Sequence, residues 1–294
     1  MKERIAGHLT DPTFTRRQLF AGALCAGLGL VALRSDEKVQ PTQVFTPSPV
    51  LLSTWVWHPA RAHSLLHEAR RIGIARLLVW VPPGIADDAE AFASLTQLVN
   101  DARQLNVSVD ALGGDPSWAG RPELAGAWAQ EVKALGLAER LHLDIEPTFV
   151  GLSAADQHAL ARGLLTALEL VGEVGLPLDV DVPMQFAEIG MSASSTLLQD
   201  VMRRCDGITV MAYRARAAAV LTAAQPSIAQ AAASGTPVWV GVNLADPGED
   251  LPTTVLTYDG GDVAVEVQNL IDGVTGMPEI AGVALHDSRF LAMV

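Results

Sequence analysis

From Val50 onward the chain alternates short apolar runs with longer amphipathic stretches. Apolar runs bounded by Gly, Pro or Asn predict strands buried on both faces, and the 3.6-residue periodicity between them predicts helices. The predicted strands cover 50–57, 75–81, 107–112, 140–146, 176–182, 207–213, 237–243 and 281–287. Helical patterns fill stretches such as 61–73, 87–106, 121–136 and 153–175, most of them closed by Gly or Asn, where helices stop. No sequence repeat accompanies this alternation. Eight strand-helix units within residues 50–294 predict an α/β protein built as a (β/α)8 TIM barrel, an architecture of about 250 residues. An open, doubly wound sheet is the alternative. In a barrel the chemistry gathers at the carboxyl ends of the strands and in the loops that follow.

The fourth predicted strand, "RLHLDIE", carries two acids in an otherwise apolar run. Alternation sets His142, Asp144 and Glu146 on one side and Leu141, Leu143 and Ile145 on the other. The apolar set faces the helices, so the polar set faces the barrel interior. Burying two carboxylates there costs several kcal/mol (roughly) unless they are paired, protonated or hydrogen-bonded. A purely structural reading pairs them with an interior arginine, for which Arg76 and Arg214 are the candidates near strand ends. The functional reading is a catalytic acid.

Other strand ends add polar and aromatic residues. Trp55, Trp57 and His58 close the first strand, Trp80 the second, and Asp110, Asp115 and Trp118 follow from the third. Asp179 and Asp181 alternate on the fifth, ahead of Met184 and Gln185; Met211, Tyr213 and Arg214 end the sixth. Trp239 and Asn243 belong to the seventh, His286 and Asp287 to the eighth. Aromatic faces clustered beside carboxylates suit a sugar site better than a core normally filled by Val, Ile and Leu. Trp57, Trp80, Trp118, Asp181, Met211, Gln185, Asn243 and His286 are therefore the expected substrate-binding set.

The order of these features resembles the family-18 chitinase-like barrels, over most of the chain but through short motifs. That family carries D-x-x-D-x-D-x-E on its fourth strand. The same frame here reads "ERLHLDIE", so Asp144 and Glu146 match, His142 replaces an aspartate and Glu139 stands for the first acid. Gly113 and Gly114 match a glycine pair after the third strand, and Met211 and Tyr213 match an M-x-Y on the sixth, with Arg214 where an aspartate is common. The tryptophan frequent on the last strand is missing from "GVALHD". The resemblance implies that Glu146 protonates the glycosidic oxygen. It implies that Asp144 orients the substrate's own N-acetyl group, which acts as nucleophile, and that Tyr213 hydrogen-bonds that group. An acid working near neutral pH needs burial and a neighbouring anion, and Asp144 supplies the second. For a substrate without an acetamido group, Asp179 or Asp181 would have to serve as nucleophile or base.

Two further classes stay open. His58, His142, Asp144, Glu146, Asp181, His286 and Asp287 could gather as ligands of a metal-dependent hydrolase, although no H-x-H or H-E-x-x-H spacing fixes two of them locally. Alternatively, the tryptophans and Tyr213 hold a glycan without cleaving it. The favoured reading, a glycoside hydrolase acting on a polysaccharide or oligosaccharide, expects no cofactor and no metal. A long Gly- and Pro-bearing loop after the seventh strand, 244–262, is a candidate substrate rim.

The amino terminus and charge place this barrel. Arg16 and Arg17, followed by the apolar run Leu19 to Leu33, resemble a twin-arginine export signal and are too short for a bilayer span. Residues 1–36 are read as that signal, 37–49 as a polar, proline-bearing linker and 50–294 as the barrel. A periplasmic or secreted bacterial protein is expected, meeting the membrane only during export. Cleavage would remove Lys2, Arg4, Arg16, Arg17 and Arg34 against Glu3, Asp11 and Asp36, leaving a body more acidic than the −13 of the whole chain. Such a surface excludes a nucleic-acid partner that needs a basic face. Cys205 would then be the only cysteine, so no internal disulfide is expected.

Overall fold

The computed structural model describes residues 50–59, 62–245, 254–257 and 259–294. The signal (1–36), the linker (37–49) and much of the 244–262 loop lie outside the described residues. Eight strands form a closed parallel barrel: β1 (Leu51–Val56), β2 (Ile74–Trp80), β3 (Ser108–Gly113), β4 (Arg140–Leu143), β5 (Leu178–Pro183), β8 (Gly207–Met211), β9 (Val238–Asn243) and β10 (Ile280–His286). They are adjacent in chain order, and β1 closes the ring by pairing with both β2 and β10. A short antiparallel pair, β6 (Gly190–Ser192) and β7 (Ser195–Thr196), is inserted after β5. Its polar sequence gives no strand signal. The helices are α1 (Ala62–Ile72), α2 (Ala89–Gln104), α3 (Pro122–Leu135), α4 (Ala154–Gly172), α5 (Leu197–Met202), α6 (Ala217–Ser234) and α7 (Val263–Val274).

Local chemistry sets these boundaries. Asp88 accepts from the Ala91 N–H at 3.0 Å to start α2, and Asp262 accepts from Ala264 at 2.9 Å to start α7; each such cap contributes about 1 kcal/mol. Gly136 and Gly235 end α3 and α6 at φ 65° and 73°, a region closed to most side chains. Strand β4 stops at Leu143, three residues short of the expected 146. The Asp144 N–H still bonds the Gly113 carbonyl at 2.9 Å, and Pro147 has no N–H with which to extend the ladder.

Both faces of the barrel sheet are buried, which is why its strands read as continuous apolar runs. Outward residues such as Leu77, Val79, Leu141, Leu143, Val180, Val182, Val240 and Val242 join the helices in one large core. A second, smaller cluster fills the interior: Trp55, Leu78, Leu112, Trp239 and Ala284. Two indoles fit there because their neighbours have no side chain. A Cβ on Gly241 would sit 3.3 Å from the Trp55 ring, and one on Gly282 would collide with the Trp239 ring.

The amino-terminal end of the interior is closed by charge. Arg76 on β2 bonds Asp110 on β3 through Nε at 2.6 Å and reaches across the barrel to Asp179 on β5, also at 2.6 Å. Arg140 on β4 meets the other Asp179 oxygen at 2.9 Å. The Arg76 guanidinium also lies 5.3 Å from the centre of the Trp239 ring. Burial alone would lower the Arg76 pKa, but the Asp110 and Asp179 carboxylates more than reverse this and raise it. The structural pairing considered for the β4 acids thus exists one level lower, on Asp110 and Asp179.

Candidate active site

The opposite, carboxyl-terminal end is shaped by the segment after β4. Asp144 is buried, Ile145 points outward into the core, and Glu146 is half-buried at the mouth, so the strand's alternation continues past its last ladder pair. Phe149 stacks edge-on against Phe186 at 6.1 Å, which ties this segment to the turn after β5. Gly114 allows the close approach, because a Cβ there would land on the Asp144 carbonyl. Gly114→Ala is therefore expected to cost about 1–3 kcal/mol as the Asp144 backbone is pushed aside. Urea unfolding at unchanged m-value measures it. An unaltered midpoint would mean that this segment yields freely.

Beneath the mouth lies a hydrogen-bonded trio. Asp181 accepts from the Trp55 indole N–H at 2.8 Å with one oxygen and meets His142 Nε2 at 2.7 Å with the other. A carboxylate only accepts, so Nε2 carries the hydrogen. His142 and Asp181 are both completely buried, and His142 Nδ1 has no hydrogen-bond partner among the described residues. The β4–β5 register pairs Leu143 with Val180, so the next residues along, Asp144 and Asp181, share a level.

An aromatic wall stands across the mouth. Trp57 and Trp80 lie 5.9 Å apart, and His286 lies 6.3 Å from Trp57 and 5.9 Å from Tyr213, ring centre to ring centre. The Trp57 indole N–H donates to His286 Nε2 at 3.2 Å. His286 Nδ1 faces Asn243 Oδ1 at 3.3 Å, and that oxygen also accepts from the Ala245 N–H at 2.9 Å. Because Nε2 accepts, Nδ1 is the nitrogen that donates.

The structure thus brings Asp144, Glu146, Tyr213, Trp57, Trp80, Asn243 and His286 to one end of the barrel, with Met211 buried below Tyr213 and Gln185 exposed just past β5. Asp181 lies level with Asp144 but has both oxygens engaged within the protein, and one expected substrate contact, Trp118, lies elsewhere, as a core residue packed 5.7 Å from Trp128. Asp179, considered as an alternative base, is held by two arginines. Arg140 is a further residue of this inward face, which alternation counted back from Asp144 reaches.

The metal-ligand set considered from sequence is largely spoken for within the protein. Both His286 nitrogens are engaged, Asp287 holds Arg289 at 2.9 Å, and His58 is exposed. Among the described residues one group has metal-like spacing, Asp110, His142 and Asp179, with ligand atoms within 4.8 Å of one another. Both of its carboxylates already face Arg76, whose guanidinium supplies the positive charge that a cation would bring. That donor set does not suit a metal centre.

The sequence matches no family model and no curated protein at a significant level. Solved structures do share the fold. A family-18 chitinase from Pseudoalteromonas aurantia superimposes with a TM-score of 0.58 at 12% identity, over 81% of this chain and 94% of that one. The spore cortex-lytic enzyme SleL of Bacillus megaterium gives 0.52 at 11% identity, over 84% and 75%. A Toxoplasma gondii barrel described as a deoxyribose-phosphate aldolase also gives 0.52 at 11% identity, over 82% and 89%. At such identities the likeness establishes the (β/α)8 barrel, shared with chitinases and with enzymes of other chemistry.

Proposed function

We propose that the chain is an exported glycoside hydrolase that cleaves an amino-sugar-containing glycan, with Glu146 as general acid and Asp144 as its partner. One observation carries this reading. Asp144 and Glu146, two residues apart on the inward face, carry the line of β4 to the carboxyl-terminal end of the barrel, the end that also holds Trp57, Trp80, Tyr213 and His286. The fold it shares with a chitinase and a cortex-lytic enzyme supports the same chemistry. The twin-arginine-like amino terminus supports export to the periplasm or beyond.

In the proposed reaction Glu146 gives its proton to the glycosidic oxygen as the bond to the anomeric carbon breaks. The acetamido oxygen of the same sugar closes onto that carbon, Asp144 stabilises the cationic ring so formed, and Tyr213 hydrogen-bonds it. Water then opens the ring with Glu146 as base, and the anomeric configuration is retained. Asp179 and Asp181 take no part. This route depends on the acetamido group. N-acetylated oligosaccharides should be cleaved with retention, and their de-N-acetylated counterparts at least about a hundredfold more slowly. Product analysis by chromatography and anomer-resolved NMR decides it, and equal rates on the two substrates would remove the substrate-assisted mechanism.

A further inference from the structure

His286 ends β10 inside the aromatic wall, where it is buried. Its neighbours decide which of its nitrogens carries the hydrogen. An indole N–H only donates, so the Trp57 bond at 3.2 Å makes Nε2 an acceptor. On the other side of the ring, the Ala245 N–H donates to Asn243 Oδ1 at 2.9 Å, which identifies that atom as the amide oxygen, and His286 Nδ1 stands 3.3 Å from it. Nδ1 therefore donates, and the imidazole in this arrangement is neutral. Its ring also meets Trp55 at 5.5 Å and Tyr213 at 5.9 Å, centre to centre. One side chain thus joins residues from the ends of β1, β8 and β9 to β10.

A second proton changes this arrangement at one point. An imidazolium donates from both nitrogens, so the bond from Nδ1 to Asn243 survives while Nε2–H confronts the Trp57 N–H, donor against donor. On the segments that meet at His286, the titratable and charged groups among the described residues are the exposed His58, Tyr213, Arg214, and Asp287 with its partner Arg289. Asp144 and Glu146 reach the same end of the barrel from β4, and Asp181 accepts from the Trp55 indole. Carboxylates and ring faces favour the second proton and guanidiniums oppose it, so together they set the pH at which it arrives. What it removes is the acceptor that Trp57 uses. We propose that His286 is a positioning residue that holds Trp57 in the wall while neutral and lets that indole go when protonated, so that the mouth binds its glycan in neutral solution and releases it in acid. This rests on reading the mouth as a glycan site. Affinity is complete above the pH at which His286 titrates and falls below it.

The test uses the full chain carrying Glu146→Gln, which takes the titration of the proposed acid out of the measurement, alone and combined with His286→Gln or His286→Phe. Nitrogen NMR of the labelled histidine side chains, with His286 assigned by its loss in His286→Gln, should show the hydrogen on Nδ1 at neutral pH. The Trp57 indole N–H resonance, assigned by Trp57→Phe, should shift in step as His286 titrates. A hydrogen on Nε2, or a Trp57 resonance that ignores the titration, overturns the proposal. Calorimetric affinity for an N-acetylated oligosaccharide should fall about tenfold between about pH 8 and about pH 5, the worth of one hydrogen bond whose donor is left stranded. His286→Gln, whose amide oxygen can still accept from Trp57, should keep the affinity seen at the higher pH and lose the pH dependence, and His286→Phe should bind weakly at both. Affinity that is flat in pH with His286 present, or pH dependence that persists in His286→Gln, overturns the proposal as well. Coupled His286 and Trp57 resonances without glycan binding uphold the hold on Trp57 and sink the glycan reading alone, whereas glycan binding unmoved by the His286 titration sinks the His286 assignment alone.

Discussion

Glu146→Gln is expected to slow hydrolysis of an N-acetylated oligosaccharide by about 10²- to 10⁴-fold, the usual contribution of a positioned acid. The amide keeps the size of the side chain and most of its hydrogen bonds but cannot release a proton to the leaving oxygen. Glu146 is half-buried at the end of a well-packed segment, so the substitution should leave the fold intact. Oligosaccharide affinity should stay within a few-fold (roughly) of the parent, because the loss falls on the transition state and not on the bound substrate. Initial rates, an unfolding midpoint and a binding isotherm on the same preparation separate these effects. A variant that turns over as fast as the parent would remove Glu146 from the mechanism. Equal losses of affinity and rate would make it a binding residue.

The largest expected stability effect belongs to the other end of the barrel. Arg76→Met removes the group that links Asp110 to Asp179 and leaves Asp179 with Arg140 and Asp110 without its described cation. Breaking one side of a buried ionic network in this way costs about 3–5 kcal/mol, since the remaining charges stay away from water. Adding Asp110→Asn should recover a substantial part of the loss by removing the stranded charge. Urea unfolding of the parent, the single and the double variant measures this coupling. A loss of less than about 1 kcal/mol for Arg76→Met would mean that water reaches the network and screens it.

The barrel was legible because its strands are buried on both sides. Runs such as Leu77 to Val79 and Val238 to Val242 stand out from the amphipathic helices between them, and counting them sufficed. The location of Asp144 and Glu146 followed from alternation and from the rule that barrel chemistry lies at the carboxyl ends. What could not be read were contacts across the barrel. Arg76 and Asp179 are 103 positions apart, and Trp55 and Asp181 are 126 apart, as the Trp55–Asp181 hydrogen bond records. Their meeting depends on the stagger between strands, which no local pattern encodes. Depth along a strand was equally hidden. Asp179 and Asp181 look alike in sequence, yet one level separates an ion pair at the base from a hydrogen-bonded trio beneath the mouth. Trp118 misled for a related reason: it follows β3 closely, but its turn folds back over α3 and into the core.

The indoles of Trp55 and Trp239 occupy the interior only because Gly241 on β9 and Gly282 on β10 yield them space. Each pair shares one fixed volume between two distant positions in the chain. Such sites cannot drift one at a time: a larger residue replacing the glycine is tolerated only after its aromatic partner has shrunk, and a smaller residue replacing the tryptophan leaves a hole until the glycine position grows. Among descendants of this chain, the sizes of residues 55 and 241 should therefore vary in opposition, whereas residue 282 should stay glycine, because a Cβ there would also meet the Leu51 carbonyl oxygen. That covariation would be visible in an alignment even where the motif at the mouth has changed beyond recognition.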